Sequence, residues 1–231
     1  MNVYPAILSD SLNEIQSQLA IAASAPSIKV VEIDVIDGSF ADNLTISPAD
    51  LAQAQLDFAN LQLDFHLMVE EPLDYLYEII DHQQQLPVRA VRFHVEKASS
   101  QLSLVKEAKE HNLLIGTALN LFTPLEVVEQ AVLSQLDQVE LLAIEAGSQG
   151  QVFQETVLPK IEQLQAYQTK TKQSLEIIVD GGVKLKQIEL LARMKVDAVA
   201  IGSLLWKNDH PLNILQEIKS IVDSAAAKLS K

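Results

Sequence analysis

The feature that most constrains this chain is a repetition. Short apolar runs recur at residues 3–8, 30–36, 62–68, 90–95, 114–119, 138–144, 176–180 and 198–201. They are short and rich in valine and isoleucine, so each reads as a strand. Stretches with helical spacing separate most of them, for example residues 51–56, 72–80 and 185–194. A strand that returns through a helix pairs in parallel with the next. Eight such units favour a closed (β/α)8 barrel over an open doubly wound sheet. Thr123-Pro124-Leu125-Glu126 reads as an N-cap with proline at the first helical position, opening a helix after the fifth strand. Residues 212–227 read as the closing helix, followed by a lysine-bearing tail. With no linker and no low-complexity segment, residues 1–231 are expected to form one barrel domain.

Charge and cysteine usage exclude several functions. A net charge of −14 opposes binding to a nucleic-acid backbone or an anionic membrane surface. The absence of cysteine removes disulfides, thiolate zinc sites and cysteine nucleophiles, and fits a cytoplasmic location. The start, MNVYPAILSDSL, has no basic region ahead of an apolar stretch. No apolar run approaches the roughly 18 residues needed to span a bilayer.

Within the second strand, VVEIDVI, alternation puts Val31, Ile33 and Val35 on one face and Glu32, Asp34 and Ile36 on the other. Two carboxylates on one enclosed face require a cation. In a (β/α)8 barrel the inward side chains near the carboxyl ends of the strands line the active site. Glu32 and Asp34 occupy such positions, as do His66 on the third strand and Asp180 on the seventh. Their convergence is the expected centre. His94, on the fourth strand, reads as a hydrogen-bonded structural histidine. Gly181-Gly182 and Gly202-Ser203 follow strands 7 and 8, where barrels of this kind often hold phosphate on backbone N–H groups.

Several motifs, in order along the chain, resemble the ribulose-phosphate 3-epimerase family. They are Pro5-Ala6-Ile7-Leu8-Ser9, Asp34-Val35-Ile36-Asp37-Gly38-Ser39-Phe40 with Asn43-Leu44-Thr45-Ile46, Asp64-Phe65-His66-Leu67-Met68, Ala118-Leu119-Asn120 with Thr123-Pro124-Leu125-Glu126, Val179-Asp180-Gly181-Gly182-Val183 and Ile201-Gly202-Ser203. The resemblance implies a ribulose-phosphate-binding barrel that epimerises C3 of a ketopentose phosphate. Asp34 and Asp180 match the family's acid/base pair. Asp34, His66 and Asp180 match ligands of one divalent metal ion, whether manganese, magnesium, iron or zinc, and Glu32 stands where the family has a histidine ligand. Met68, the loop Gly147-Ser148-Gln149-Gly150, Gly181, Gly182, Gly202 and Ser203 match substrate and phosphate contacts. The implied partner is a sugar phosphate, and homo-oligomerisation through helices and rim loops is open.

The departures from the family pattern have physical consequences. With three carboxylates ionised and His66 neutral, the ligand charge is −3, and a divalent ion leaves about −1. That charge favours oxygen-loving manganese or magnesium over zinc. Ala6 replaces a serine that can hydrogen-bond substrate, and Ile36 and Leu142 replace two methionines over the reacting carbon. Gln149 replaces a glycine, and Glu145-Ala146 an Asn-Pro pair. These changes keep two alternatives open: an epimerase for another ketose phosphate, such as a ketohexose 6-phosphate, and a phosphosugar-binding paralogue with impaired catalysis.

Overall fold

The computed structural model describes residues 1–147 and 150–229. Eight strands close into one parallel barrel in sequence order: β1 (Asn2–Ile7), β2 (Val30–Ile36), β3 (Gln62–Met68), β4 (Val88–His94), β5 (Leu114–Leu119), β6 (Gln138–Leu142), β7 (Glu176–Asp180) and β8 (Ala198–Ile201). β8 pairs with β1 through Asn2 opposite Ala198, which completes the ring. The helices are α1 (Leu12–Ser24), α2 (Pro48–Gln53), α3 (Pro72–Asp81), α4 (Gln101–Glu110), α5 (Gln130–Leu133), α6 (Leu158–Thr171), α7 (Leu185–Arg193), α8 (Ser203–Trp206) and α9 (Pro211–Leu229). The (β/α)8 barrel expected from the alternating pattern is therefore the observed fold. No helix among the described residues is long and apolar enough to cross a membrane.

Each strand has two buried faces with different contents. Val31, Ile33, Val35, Phe65, Leu67, Val91 and Phe93 point outward into the apolar layer beneath the helices. Glu32, Asp34, Asp64, His66, Arg92, His94, Gln138 and Glu140 are also buried, on the alternate positions that face the barrel axis. A small apolar cluster of Tyr4, Val30, Ile178 and Ala198 shares that interior.

Some boundaries differ from the sequence reading. Helix α2 starts at Pro48 instead of Leu51, because the Ser47 side chain caps it by accepting from the Asp50 N–H. It has ended before Gln55, which is left-handed at φ 50°. The helix expected from Thr123-Pro124 is not formed there. Residues Leu125–Val127 make a single 3-10 turn with no side-chain cap, and α5 begins only at Gln130. The Thr123 hydroxyl is bonded instead to the Glu96 carboxylate. Strand β6 stops at Leu142, two residues early, since the Ala143 carbonyl accepts from Gln154 N–H in the following loop.

Candidate active site

The polar interior is stitched across four strands. Asp34 Oδ1 lies 3.0 Å from His66 Nδ1, and His66 Nε2 lies 2.9 Å from His94 Nε2. His94 Nδ1 reaches Glu96 Oε2 at 3.2 Å. With both His66 nitrogens protonated and His94 carrying its proton on Nδ1, every contact in this row pairs a donor with an acceptor. The charge balance agrees. Burial lowers the affinity of His66 for protons, but the charges of Glu140 and Asp34 outweigh it and raise its pKa. Burial lowers that of His94, and the Glu96 contact only partly offsets this. Around Asp34 the backbone is pinned by Thr45, whose hydroxyl donates to the Asp34 carbonyl at 2.7 Å and accepts from Ile36 N–H at 2.8 Å.

Deeper in the barrel sits Arg92, fully buried. Its Nη2 donates to Glu32 Oε2 at 2.5 Å and its Nε to Glu140 Oε2 at 2.5 Å. Its Nη1 donates to Asp64 Oδ2 at 2.7 Å and to Gln138 Oε1 at 2.9 Å. Room for the side chain comes from Gly116, where an added Cβ would stand 2.9 Å from Arg92 Cγ and 2.8 Å from the Gln138 carbonyl oxygen. The cation that Glu32 requires is thus in part supplied by the chain itself.

It is not enough for all the carboxylates. Burial, and then the charge of Glu140, raises the pKa of Glu32 well above its ordinary value despite Arg92. Asp34 is raised by burial, opposed by its hydrogen bond from His66. Asp180 is pushed up to about 8 by burial and by the charges of Glu140 and Asp34. Glu140 itself is lowered, because His66 and Arg92 overcome its burial. Two carboxylate oxygens, Glu32 Oε1 and Glu140 Oε1, are buried without a hydrogen-bond partner among the described residues. Glu32, His66, Glu140 and Asp180 each present a donor atom within 4.8 Å of the others. Orphaned oxygens beside an imidazole are a donor set that fits a divalent cation.

Above this cluster a pocket of about 500 Å³, counted with its open mouth, is lined by Asp34, Asp180, Met68 and Leu142 and by the loops after β6, β7 and β8. Gly147, Gly150, Gly181, Gly182, Gly202 and Ser203 all border it. Gly181 and Gly182 are left-handed at φ 95° and 67°, and a Cβ on Gly182 would strike the Phe153 backbone nitrogen at 2.5 Å, so only glycine suits this turn. Lys184 Nζ donates to Ser203 Oγ at 3.3 Å, which brings a cation to the same rim. Ser148 and Gln149, expected to contact phosphate, lie outside the described residues.

A model of the ribulose-phosphate 3 epimerase family matches residues 2–206. The chain belongs to the ribulose-phosphate 3-epimerase family. Proteins named ribulose-phosphate 3-epimerase are similar to it over most of its length. The one from Bacillus subtilis strain 168 is 32% identical over 190 residues, covering 82% of this chain and 85% of its own. That from Schizosaccharomyces pombe is 30% identical over 197 residues, covering 84% and 82%. That from Escherichia coli strain K12 is 28% identical over 229 residues, covering 99% and 96%. Among solved structures, KGPDC from Streptococcus mutans in complex with D-R5P superposes with a TM-score of 0.72 at 12% identity, covering 97% of this chain and 98% of its own, a likeness of fold.

Against the ribulose-phosphate 3-epimerase pattern, the barrel brings together all four residues expected at the centre: Glu32, Asp34, His66 and Asp180. The sequence reading missed Arg92 and Glu140, and took His94 as structural only, although it holds His66 through Nε2. The missing signal was available in the alternation. Arg92 lies two positions before His94, and Glu140 two before the inward Leu142, so both face the barrel axis. The ligand charge of −3 inferred from sequence therefore omitted one carboxylate and one guanidinium.

Proposed function

We propose that this protein, acting as one barrel domain in the cytoplasm, interconverts D-ribulose 5-phosphate and D-xylulose 5-phosphate. The observation that carries the reading is the pair Asp34 and Asp180. They rise from β2 and β7, three strands apart around the ring of eight, and line one pocket in different electrostatic settings. The names of the relatives agree with it.

Epimerisation next to a ketone removes a proton from one face of C3 and returns one to the other. Asp34, whose ionised form is favoured by the His66 hydrogen bond, is the base. As the C3–H bond breaks, its electron pair forms the C2–C3 double bond and the carbonyl oxygen becomes negative. Asp180, which burial and the charges of Glu140 and Asp34 dispose to take up a proton, delivers one to the opposite face of C3. The reverse reaction exchanges the two roles. Met68, Leu142 and Ile144 give the pocket an apolar wall that limits access of water to the reacting carbon. The glycine N–H groups after β6, β7 and β8, with Ser203 and Lys184 at the rim, suit the phosphate.

Glu32, His66 and Asp180, with Asp34 beside them, would hold one divalent ion, whether manganese, magnesium, iron or zinc. Such an ion supplies positive charge where the substrate oxygens become negative, worth several kcal/mol to the transition state.

The test is proton NMR of D-ribulose 5-phosphate with the protein in deuterated water. The C3 proton signal should disappear, and Asp34→Asn or Asp180→Asn should retain it. Exchange with a ketohexose 6-phosphate but not with the pentose phosphate would reassign the substrate. No exchange, with phosphosugar binding intact, would make the chain a binding paralogue and sink the proposal.

A further inference from the structure

Arg92 treats Glu32 and Glu140 alike. It takes one oxygen of each, Oε2 in both cases, at 2.5 Å. The other oxygen of each, Oε1, is buried and has no hydrogen-bond partner among the described residues. Both side chains are fully buried, so no bulk water compensates. His66 Nδ1 stands 3.7 Å from Glu140 Oε1. The second imidazole nitrogen is occupied by His94, and Nδ1, which donates to Asp34 Oδ1 at 3.0 Å, would give up that proton to act as a ligand. Donor atoms of Glu32, His66, Glu140 and Asp180 lie within 4.8 Å of one another. Two ligands at about 2.1 Å on opposite sides of an ion are about 4.2 Å apart, so the cluster is near the required size.

We propose that Glu140 is a metal ligand of this protein, together with Glu32, His66 and Asp180, and that Arg92 is the positioning residue that fixes both glutamates with one oxygen free. This deepens, and rests on, the reading of the cluster as the catalytic centre. The charges are consistent. Glu32, Asp34, Glu140 and Asp180, when ionised, bring four negative charges and Arg92 one positive, a balance of −3 that a divalent ion reduces to −1. Asp64, the third partner of Arg92, has Arg89 as a second counter-ion at 2.5 Å. The guanidinium fork is what permits the arrangement, since its separate N–H groups can hold two carboxylates at defined angles. Three carboxylate oxygens and one imidazole nitrogen favour manganese over softer ions.

The experiment uses the full chain, stripped with chelator, titrated with manganese and followed by electron paramagnetic resonance, then with cobalt(II) and followed by visible absorption. The wild type should bind one manganese ion per chain. Glu140→Gln, which keeps an oxygen for Arg92, should lower manganese affinity tenfold or more, on the order of the loss expected at metal sites, and should shift the cobalt bands. Glu140→Asp keeps the charge and should bind manganese with shifted cobalt bands, which covers the case in which the glutamine variant fails to fold. Arg92→Lys keeps a charge but not the fork, and should also move the cobalt bands. Unchanged affinity and an unchanged spectrum in Glu140→Gln would overturn the assignment and leave Glu140 as a structural partner of Arg92. So would a wild type that binds neither ion. Metal binding weakened by Glu140→Gln in a protein without C3 exchange would sink the epimerase reading while the ligand assignment stands.

Discussion

The barrel interior holds two polar layers made of the same residue types, and they differ in whether their charges are matched. In the lower layer, towards the amino ends of the strands, Arg89 grips Asp64 with Nε at 2.7 Å and Nη2 at 2.5 Å. Arg92 adds a third bond to Asp64, and Gln138 donates to Glu176 at 2.7 Å. Tyr4 donates its hydroxyl to Glu176. Asp64 is accordingly held below its ordinary pKa, because Arg89 and Arg92 outweigh its burial. In the upper layer Glu32, Asp34 and Asp180 are all raised, and two oxygens lack partners. The lower layer is a closed set of ion pairs that fixes the barrel. The upper layer carries uncompensated negative charge, which is what a site for a cation and a proton-transferring pair needs.

This contrast can be broken by mutation. The largest effect belongs to the upper layer and to turnover. Asp34→Asn and Asp180→Asn should each lower C3 proton exchange by about 10²–10⁴-fold, without loss of thermal stability, since each removes a buried like charge. A parallel fall in stability would mean that these groups hold the fold instead.

The next effect belongs to the lower layer and to stability. Asp64→Ala leaves two guanidinium groups, one of them fully buried, without their shared partner, and should cost about 3–5 kcal/mol in urea unfolding. Glu32→Gln, by contrast, should cost much less, because its carboxylate is poorly compensated at the outset. Similar costs for the two would erase the distinction between the layers. Gly116→Ala should cost about 1–3 kcal/mol, because the added Cβ would meet the Gln138 carbonyl oxygen at 2.8 Å, a backbone atom that cannot swing away.

The smallest expected effect is a pH dependence at Glu96, which braces His94. Its own burial raises its pKa, but hydrogen bonds from His94, Thr123 and the Asn120 N–H lower it to about 2. A carboxyl held below its unfolded value contributes stability above that value and loses it as pH falls through the folded one. The wild type should therefore exceed Glu96→Gln in thermal stability by about 1–3 kcal/mol near pH 6, and the gap should close between roughly pH 4.5 and 2. A gap independent of pH would show that packing, not charge, is the cause.

The helix expected at Thr123 and the metal charge expected from Glu32 failed for one kind of reason. In both cases a side chain found a distant partner that local pattern does not reveal: Glu96 for Thr123, and Arg92 for Glu32. By itself the sequence determined the strands and their alternation, hence which rows of side chains face the axis, because two-residue periodicity is a property of each strand alone. It also determined the family, since ordered motifs persist along the chain. Which rows meet was decided by the tertiary structure. Glu32, Arg92 and Glu140 come from β2, β4 and β6, 60 and 48 positions apart in their two contacts, and share a layer only because barrel closure staggers alternate strands to one level. Burial at that level removes water as a competing partner, and the same residues that would be solvated charges on an open strand become a clamp with two free oxygens.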